Sequence, residues 1–295
     1  MVEELLLGDN PFIGVSHLAQ EKARDQIRDA SLENKVRVFE AAVSGGATGF
    51  TFSTDKSNLE LLTYLSTHRK DLLNAVNYYI LTPYAQSYVR KANIGGTPLL
   101  LRSTLDSILR NPLALWDTLI GIASKRMESS IGFLIKTELI PYLDVLPNER
   151  VKAVFLHEIV TDTIMAFGLM DLLRSLEDYV KQKIGLSFGL HTKNFGYLQT
   201  TWPSAHNFSE YIMTAINPFG YMMAPDKETV EEAVVDLGKK TKIIAINVLA
   251  SGAANLDEAV SYLAKYRSNL YAVTSASMNP HRICENFQKL SRTLM

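Results

Sequence analysis

Cysteine is nearly absent from this sequence, which contains Cys284 and no other among its 295 residues. One cysteine excludes an intramolecular disulfide framework and leaves no thiolate cluster for zinc. Because a chain that folds without disulfides suits a reducing compartment, we expect a cytoplasmic location. The HxH and HExxH spacings are missing as well, so a divalent metal held by Asp9, Glu158 and a histidine is not favoured, and we assign no metal ligands.

An excess of charge of one sign is also missing. Lys and Arg number 30 and Asp and Glu number 31, which gives a net charge of −1. This balance provides no broad field to attract phosphate backbones or anionic lipid, so nucleic acid and membrane surfaces are not expected partners. The first nine residues are acidic where a secretory signal is basic, and no apolar run is long enough to cross a bilayer. We expect a small-molecule ligand.

A glycine-rich dinucleotide fingerprint after the first apolar run is a further absence, and it argues against an open doubly wound sheet. Instead, eight short apolar runs alternate with helical patterns, as in a parallel sheet covered by helices. Eight strands close a barrel, so we predict an α/β fold, a (β/α)8 TIM barrel, as one domain over residues 1–295. The predicted strands are Leu5–Gly8, Gly49–Ser53, Ala75–Leu81, Val151–His157, Leu186–Lys193, Tyr211–Asn217, Lys242–Leu249 and Leu270–Ser275.

Residues 86–150 separate the third and fourth predicted strands by more chain than one helix needs, which indicates a helical insertion. Thr97-Pro98 and Asn111-Pro112 each place a capping residue before a proline, so two helices should follow them, with a third around Ile131–Leu143. Because the insertion follows the C-terminal end of the third strand, it begins on the catalytic face of the barrel. One interpretation is a lid over the pocket. The alternatives are a dimerisation surface, which would make a homo-oligomer, and an enlarged outer helix layer.

Side chains of a strand alternate between the barrel interior and the helix layer. In the fifth strand the bulky apolar positions belong outside, which places His191 and Lys193 inside. In the seventh strand we expect Ile244, Ile246 and Val248 to face outward, and Asn247 inward. The same phasing directs further polar side chains to the interior, namely His157, Asn217, Asn77 and Tyr79.

Four polar residues at the C-terminal mouth of the predicted barrel are catalytic candidates. Lys193 is a base, a Schiff-base amine or an anchor for an anion, unless it is a strand-end lysine paired with Glu158. His157 and His191 suit a general acid and base, with core histidines as the alternative. Asp9 follows the first strand and can supply a carboxylate, although Asp-Asn-Pro also favours an ordinary turn.

Amides, a tyrosine and small residues complete the predicted site. Substrate-binding candidates are Asn10, Tyr79, Asn217 and Asn247. The loops after the last two strands are rich in small residues and suit phosphate or a phosphate-bearing cofactor, although small residues also simply make good turns. The candidates there are Ser251, Gly252, Ser275, Ser277, Asn279 and Arg282.

Four segments resemble the aldo-keto reductases in the correct order. Phe155-Leu156-His157 resembles the strand-four histidine motif, Gly189–Phe195 (GLHTKNF) resembles the strand-five motif, Leu249–Gly252 resembles the loop after strand seven, and Ala272–Asn286 resembles the last strand and cofactor-binding helix. The N-terminal half departs from the family. Phe52–Ser57 and Tyr79–Pro83 lack its Asp, Tyr and Lys, so of the four catalytic positions His157 alone matches. The whole chain is also similar to barrel proteins without an assigned reaction.

Three hypotheses follow for the function. We expect first an enzyme of lyase or isomerase type that performs proton-transfer or carbon–carbon bond chemistry on a small polar or phosphorylated carbonyl compound. The resemblance implies the alternative, an aldo-keto-reductase-like oxidoreductase that binds NADPH through Ser251, Ser275, Asn279, Arg282 and Asn286. The third is a non-catalytic ligand-binding or assembly protein whose insertion contacts a partner.

Overall fold

Eight parallel strands form a closed barrel in which each strand pairs with its neighbours in chain order. The structure is a computed structural model that describes residues 1–14, 30–84, 127–201 and 209–295. The predicted TIM barrel is therefore confirmed. The strands are β1 Glu4–Gly8, β2 Gly49–Ser53, β3 Asn77–Thr82, β4 Val151–Leu156, β5 Ser187–His191, β6 Tyr211–Ala215, β7 Lys242–Ile246 and β8 Ala272–Ser275.

Helices cover the outside of the barrel, and none of those described is both long and apolar enough to span a bilayer. They are α1 Leu32–Gly45, α2 Lys56–His68, α3 Lys70–Leu73, α4 Met127–Leu143, α5 Glu158–Ala166, α6 Met170–Tyr179, α7 Phe195–Thr201, α8 Lys227–Leu237, α9 Leu256–Ala264 and α10 Pro280–Leu294. A π-helical turn, Val180–Ile184, continues α6, and short 3₁₀ turns lie at Asn148–Arg150 and Ala250–Gly252.

Helix α4 confirms the third helix predicted for the insertion. The helices predicted after Thr97-Pro98 and Asn111-Pro112 lie outside the described residues. The choice between a lid and an oligomer surface therefore stays a prediction.

The helix ends follow local signals in the sequence. Ser31 accepts a hydrogen bond from the Asn34 N–H at the start of α1, and Gly46 ends that helix in the left-handed conformation, with φ 108°. Asp226 caps α8, and Asn255 forms a full capping box with Glu258 at α9. These caps satisfy backbone groups that a helix end leaves without partners.

Two separate apolar clusters fill the molecule, as strand alternation requires. The barrel interior contains large side chains, namely Leu6, Tyr79, Leu81, Phe155, Tyr211, Met213 and Ile244. Two glycines make room for them. A Cβ at Gly189 would lie 2.5 Å from the Phe155 ring, and one at Gly49 would lie 2.4 Å from Leu6 Cδ2. The interior is thus packed, and the remaining space lies at one end.

The phasing predicted for the fifth strand is confirmed, whereas that of the seventh strand is wrong. Phe188 and Leu190 of β5 pack against the helix layer. In β7, however, Ile244 packs in the interior and Ala245 packs outside. Ile244 joins the interior cluster with Met213, its partner on β6, and the smaller Ala245 faces the helix layer.

The N-terminal end of the barrel is closed by a hydrogen-bonded polar cluster. Glu4 Oε1 accepts hydrogen bonds from Asn77 Nδ2 at 2.8 Å and from the Tyr271 hydroxyl at 3.0 Å. The Tyr79 hydroxyl lies 3.0 Å from that of Tyr271. Tyr79 therefore faces inward as predicted but points to the floor of the barrel. A ligand must enter from the opposite end.

The contact between α1 and α10 depends on Gly45, where a Cβ would lie 2.7 Å from the Cys284 carbonyl oxygen. Because that oxygen belongs to helix backbone, it cannot move aside cheaply. We expect Gly45→Ala to lower the free energy of unfolding by about 1–3 kcal/mol, as overpacking does. Urea denaturation measures the change, with the exposed neighbour Ser44→Ala as control. Equal stability of both variants and the wild type would contradict the tight contact.

Candidate functional site

A cavity of about 490 Å³ opens at the C-terminal end of the strands. Its size suits a small-molecule site. All eight strands contribute to its wall, either directly or through the residue that follows them. Its apolar wall includes Ile13, Leu81, Met213, Ala215, Met222, Ile246, Val248 and Leu249. The polar candidates that line it are Asp9, Asn10, His157, His191, Lys193, Asn247, Ser251, Gly252, Ser275, Ser277, Arg282 and Asn286.

Glu158 joins the charged candidates of β4 and β5 into one cluster. Its Oε1 lies 2.7 Å from Lys193 Nζ, and its Oε2 lies 3.3 Å from His191 Nε2. Burial raises the pKa of this carboxyl, but His191 and Lys193 outweigh burial and hold the pKa below its ordinary value. Both predicted features of Lys193 are thus present, because it lines the cavity and is also paired with Glu158.

His157 occupies the N-cap of α5, where its geometry fixes the position of its proton. Nδ1 accepts a hydrogen bond from the Ile159 N–H at 3.4 Å, so the proton of a neutral ring lies on Nε2. Burial lowers the pKa of His157, and Lys193 acts in the same direction while Glu158 opposes it. At neutral pH the side chain is therefore an uncharged hydrogen-bond donor. Its ring centroid lies 5.7 Å from that of His191.

Asp9 is buried in the cavity wall directly after β1. Its Oδ2 accepts hydrogen bonds from the Ser53 N–H at 2.8 Å and from Asn58 Nδ2 at 2.7 Å. Burial raises the pKa of Asp9, the hydrogen bonds from Ser53 and Asn58 lower it, and the charge of Asp55 adds a smaller rise, so that the pKa lies at about 7. A carboxyl group that exchanges a proton near neutral pH can act as an acid or a base.

The loop after β7 is held in an uncommon backbone conformation. Asn247, Ala250 and Ser251 have φ values of 53°, 46° and 57°. Such left-handed residues are uncommon in L-amino acids and cluster at functional sites. Asn247 lies past the end of β7, so this turn and not strand phasing brings its side chain to the cavity.

The backbone of the β7 loop is satisfied within the loop itself. Asn247 Oδ1 accepts hydrogen bonds from the Ser251 N–H at 3.1 Å and the Ser251 hydroxyl at 3.3 Å. The Gly252 N–H donates to the Leu249 carbonyl at 2.8 Å. The N–H groups of Ser251 and Gly252 are therefore not available to bind a phosphate.

The loop after β8 differs, because it leaves donors available. The Ser277 and Met278 N–H groups form no hydrogen bond with any residue in the described ranges. The Arg282 side chain is exposed at the cavity and pairs with no carboxylate of the described chain. These groups lie at the N-terminus of α10, where the helix dipole favours an anion.

Side chains in the β8 loop mainly support one another. Ser275 Oγ accepts a hydrogen bond from Asn286 Nδ2 at 3.0 Å. Ser277 Oγ accepts one from the Asn279 N–H at 3.1 Å, and Asn279 Oδ1 accepts one from the Arg282 N–H at 3.0 Å. Asn279 caps α10 and does not line the cavity.

Two further predicted residues are also placed away from the cavity. Asn217 is buried beyond the end of β6, where Nδ2 donates to the Tyr221 carbonyl at 2.8 Å and Oδ1 accepts from the Tyr221 N–H at 2.9 Å. Asn217 therefore shapes the loop after β6. Tyr79 belongs to the floor of the barrel. Strand phasing gives the direction of a side chain inward or outward, but not its height along the axis.

Several residues at the site were missed by sequence reasoning. Tyr84 lines the cavity with its ring centroid 5.8 Å from that of His157. Its N–H donates to Glu138 Oε2 at 2.9 Å, and the Thr82 hydroxyl donates to the same oxygen at 2.9 Å. Glu138 lies on α4, so this helix fixes the ends of the strands from the insertion side. The available signals were an acidic residue in the middle of a largely apolar helix, and Asn58 on the buried face of α2.

Metal ligation finds no support in the described ranges, where no group of three or more His, Cys, Asp and Glu residues could hold an ion.

No protein-family model matches this chain. No curated protein matches it either. Solved structures do match it in fold, and they share the closed barrel.

Three solved structures illustrate this likeness. A protein from Pseudomonas aeruginosa, provisionally assigned as an aldo-keto reductase, has a TM-score of 0.57 and 13% identity over 100% of this chain and 91% of its own. The aldose reductase of Giardia lamblia has a TM-score of 0.52 and 14% identity over 98% and 87%. An aldo-keto reductase from Klebsiella pneumoniae, solved with NADPH, has a TM-score of 0.51 and 12% identity over 100% and 87%.

These findings confirm that the barrel resembles the aldo-keto reductases, although at such identity they show the fold alone. They contradict the expectation of lyase or isomerase chemistry on a small polar or phosphorylated carbonyl compound, since the similar structures are named as reductases. That expectation was wrong. It assigned Lys193 as an amine or an electrostatic anchor, and the Nζ of Lys193 is paired with Glu158 at 2.7 Å.

Asp9 gives a pH-dependent prediction. The pKa of Asp9 has an ordinary value of 3.8, and it is about 7 in the folded protein. As the pH rises, the unfolded chain therefore loses the Asp9 proton at lower pH than the folded protein does. Ionisation of Asp9 therefore reduces stability as the pH rises from 3.8 to about 7, and the loss is constant above that. We expect Asp9→Asn to gain stability relative to the wild type over this window, by about 4 kcal/mol at most.

Urea denaturation of both proteins across that pH range measures the gain. Asp55→Asn is the comparison variant, because Asn caps α2 as well as Asp does. It removes a charge that raises the pKa of Asp9, so it should keep the pH-dependent loss of stability but end it at lower pH. A stability difference between Asp9→Asn and the wild type that is independent of pH would contradict the raised pKa.

Proposed function

We propose that this protein is an oxidoreductase of aldo-keto-reductase type, which uses a nicotinamide dinucleotide to reduce a small carbonyl compound at the mouth of the barrel. The observation that carries the proposal is the β8–α10 junction. There, available N–H groups and an exposed arginine lead directly into a cavity lined by a neutral histidine donor.

The donors at this junction fit the phosphates of such a nucleotide. Arg282 can form charge-assisted hydrogen bonds with a phosphate, and the Ser277 and Met278 N–H groups add neutral donors. The N-terminus of α10 contributes its dipole. Asn286 and Ser275, which are bonded to each other, form the wall between the junction and the cavity. The β7 loop contributes the Ser251 hydroxyl and side-chain shape, because the Ser251 and Gly252 N–H groups are used internally.

A bound nicotinamide supplies a hydride, and the residues of this chain must orient the carbonyl that receives it. His157 Nε2–H is suited to donate a hydrogen bond to the carbonyl oxygen, since its ring is neutral and held by the Ile159 N–H. Glu158 holds Lys193 and His191 beside it, so this side of the cavity is polar and fixed. The apolar residues of the cavity wall exclude water from the reacting atoms.

Nucleotide binding tests the proposal directly. We expect NADPH to bind the wild type with quenching of its fluorescence or that of the protein, and Arg282→Ala to weaken binding by about tenfold or more, because a guanidinium–phosphate contact is lost. The effect should shrink as salt is raised, since the contact is electrostatic.

Arg292→Ala is the matched control. Arg292 is also exposed and lies on α10, but at its C-terminal end, away from the cavity. Absence of nucleotide binding by the wild type would overturn the proposed function. Equal weakening by both variants would show that general charge, not the junction, attracts the nucleotide.

A further inference from the structure

Reduction of a carbonyl requires a proton as well as a hydride. When hydride adds to the carbonyl carbon, the π-electron pair of the C=O bond moves to oxygen, and the resulting alkoxide needs an acid close to it. The positions at which the resembling family carries its Tyr and Lys lack those residues here. The acid must therefore come from another part of the cavity wall.

We propose that Asp9 is this general acid, an inference that rests on the proposed function. Asp9 Oδ1–H gives its proton to the substrate oxygen as the hydride arrives at carbon, so that one C–H and one O–H bond form while the C=O π bond and the Asp9 O–H bond break. The product is an alcohol. Asp9 is left as a carboxylate and takes its next proton from water.

Hydrogen bonding around Asp9 assigns the reactive oxygen. Oδ2 already accepts from the Ser53 N–H and from Asn58 Nδ2, so a proton on the carboxyl group belongs on Oδ1. Among the described residues, no residue other than Asp9 itself donates a hydrogen bond to Oδ1. Asp9 also lines the cavity, so a bound carbonyl oxygen can reach it.

Asp9 is also fixed in position by two different elements. Ser53 ends β2, and Asn58 is completely buried on α2. Asn58 Nδ2 donates in addition to the Ser53 carbonyl at 3.0 Å, so the three residues form one connected unit. This unit occupies the strand-two side of the mouth and holds the carboxyl group in place, as an acid for a positioned substrate requires.

The charges around Asp9 keep its proton available. Asp55, at the start of α2, raises the pKa of Asp9, and burial raises it more. Tyr142 on α4 faces the same region, with its own pKa raised by burial and by Asp55, Glu138 and Asp9. An ion pair with Lys, Arg or His would stabilise the Asp9 carboxylate, but no such pair forms among the described residues.

The other acidic groups in the wall suit this role less well. His157 has a lowered pKa, so it is a neutral donor and a poor source of a proton. Lys193 and His191 both contact Glu158. Tyr84 lines the wall beside His157 and is the remaining competitor, which the experiment below therefore includes.

Infrared spectroscopy of the nucleotide-free protein gives a readout that is independent of activity. We expect a protonated-carboxyl C=O band that disappears as the pH passes about 7, and that is missing in Asp9→Asn. Asp55→Asn should retain the band but lose it at lower pH, because the nearby negative charge is gone. A wild-type spectrum without such a band would overturn the proposal.

Kinetics with NADPH and a panel of aldehydes that includes benzaldehyde and glyceraldehyde gives the second readout. We expect Asp9→Asn to lower kcat by about 10²- to 10⁴-fold, as loss of a general acid does, with the NADPH dissociation constant changed less than about twofold. The rate of the wild type should fall above about pH 7, and this limb should shift to lower pH in Asp55→Asn.

These results separate failure of the two proposals. If NADPH binds and the wild type reduces an aldehyde, but Asp9→Asn retains the rate and Tyr84→Phe loses it, the acid is Tyr84 and the assignment of Asp9 is overturned. If NADPH does not bind at all, the oxidoreductase proposal fails, while the infrared band still reports whether Asp9 holds a proton.

Discussion

The alternation of side chains in a closed barrel is the constraint on which the site depends. Every second residue of a strand must face the axis, and the axis offers space at the open end alone. Large interior residues such as Phe155, Tyr211 and Ile244 fill the middle, and Glu4 with its tyrosine partners closes the floor. Polar side chains at the C-terminal strand ends therefore meet in one cavity, and its wall combines groups from all eight strands.

The cavity is divided into two sides with different electrostatics. On the β4–β5 side, Glu158 compensates Lys193 and His191, so charges are paired and His157 stays neutral. On the β1–β2 side, Asp9 is buried with hydrogen bonds but without a cation in the described part of the chain. Burial of an unpaired carboxylate costs stability, and active sites commonly accept that cost for the sake of a useful pKa. A neutral histidine and a buried carboxyl group thus line the same cavity.

Much of the fold could be predicted from the sequence, because short apolar runs and helix caps are local signals. All eight strands and the caps at Ser31, Asp226 and Asn255 follow from such signals. The phasing of β7 could not be predicted, since its apolar residues occupy both parities and the choice between them depends on packing with other strands. The cavity residues Asp9, His157, His191 and Lys193 could be named, whereas Asn58 and Glu138 could not, because their contacts join segments distant in sequence.

Strand phasing also fails to give the position of a residue along the barrel axis. Tyr79 faces inward yet lies at the floor, and Asn217 falls past its strand into a loop that it stabilises. The reaction class was misjudged for a related reason. Lys193 was identified from its direction, but its Glu158 partner decides what its amine can do.

A crystal structure of the protein with NADP⁺ tests the central claim most directly. The account predicts phosphate density at Arg282 and the N-terminus of α10, with the nicotinamide ring inside the cavity between Asp9 and His157. Nucleotide density elsewhere on the surface, or a ring that lies away from both residues, would contradict it.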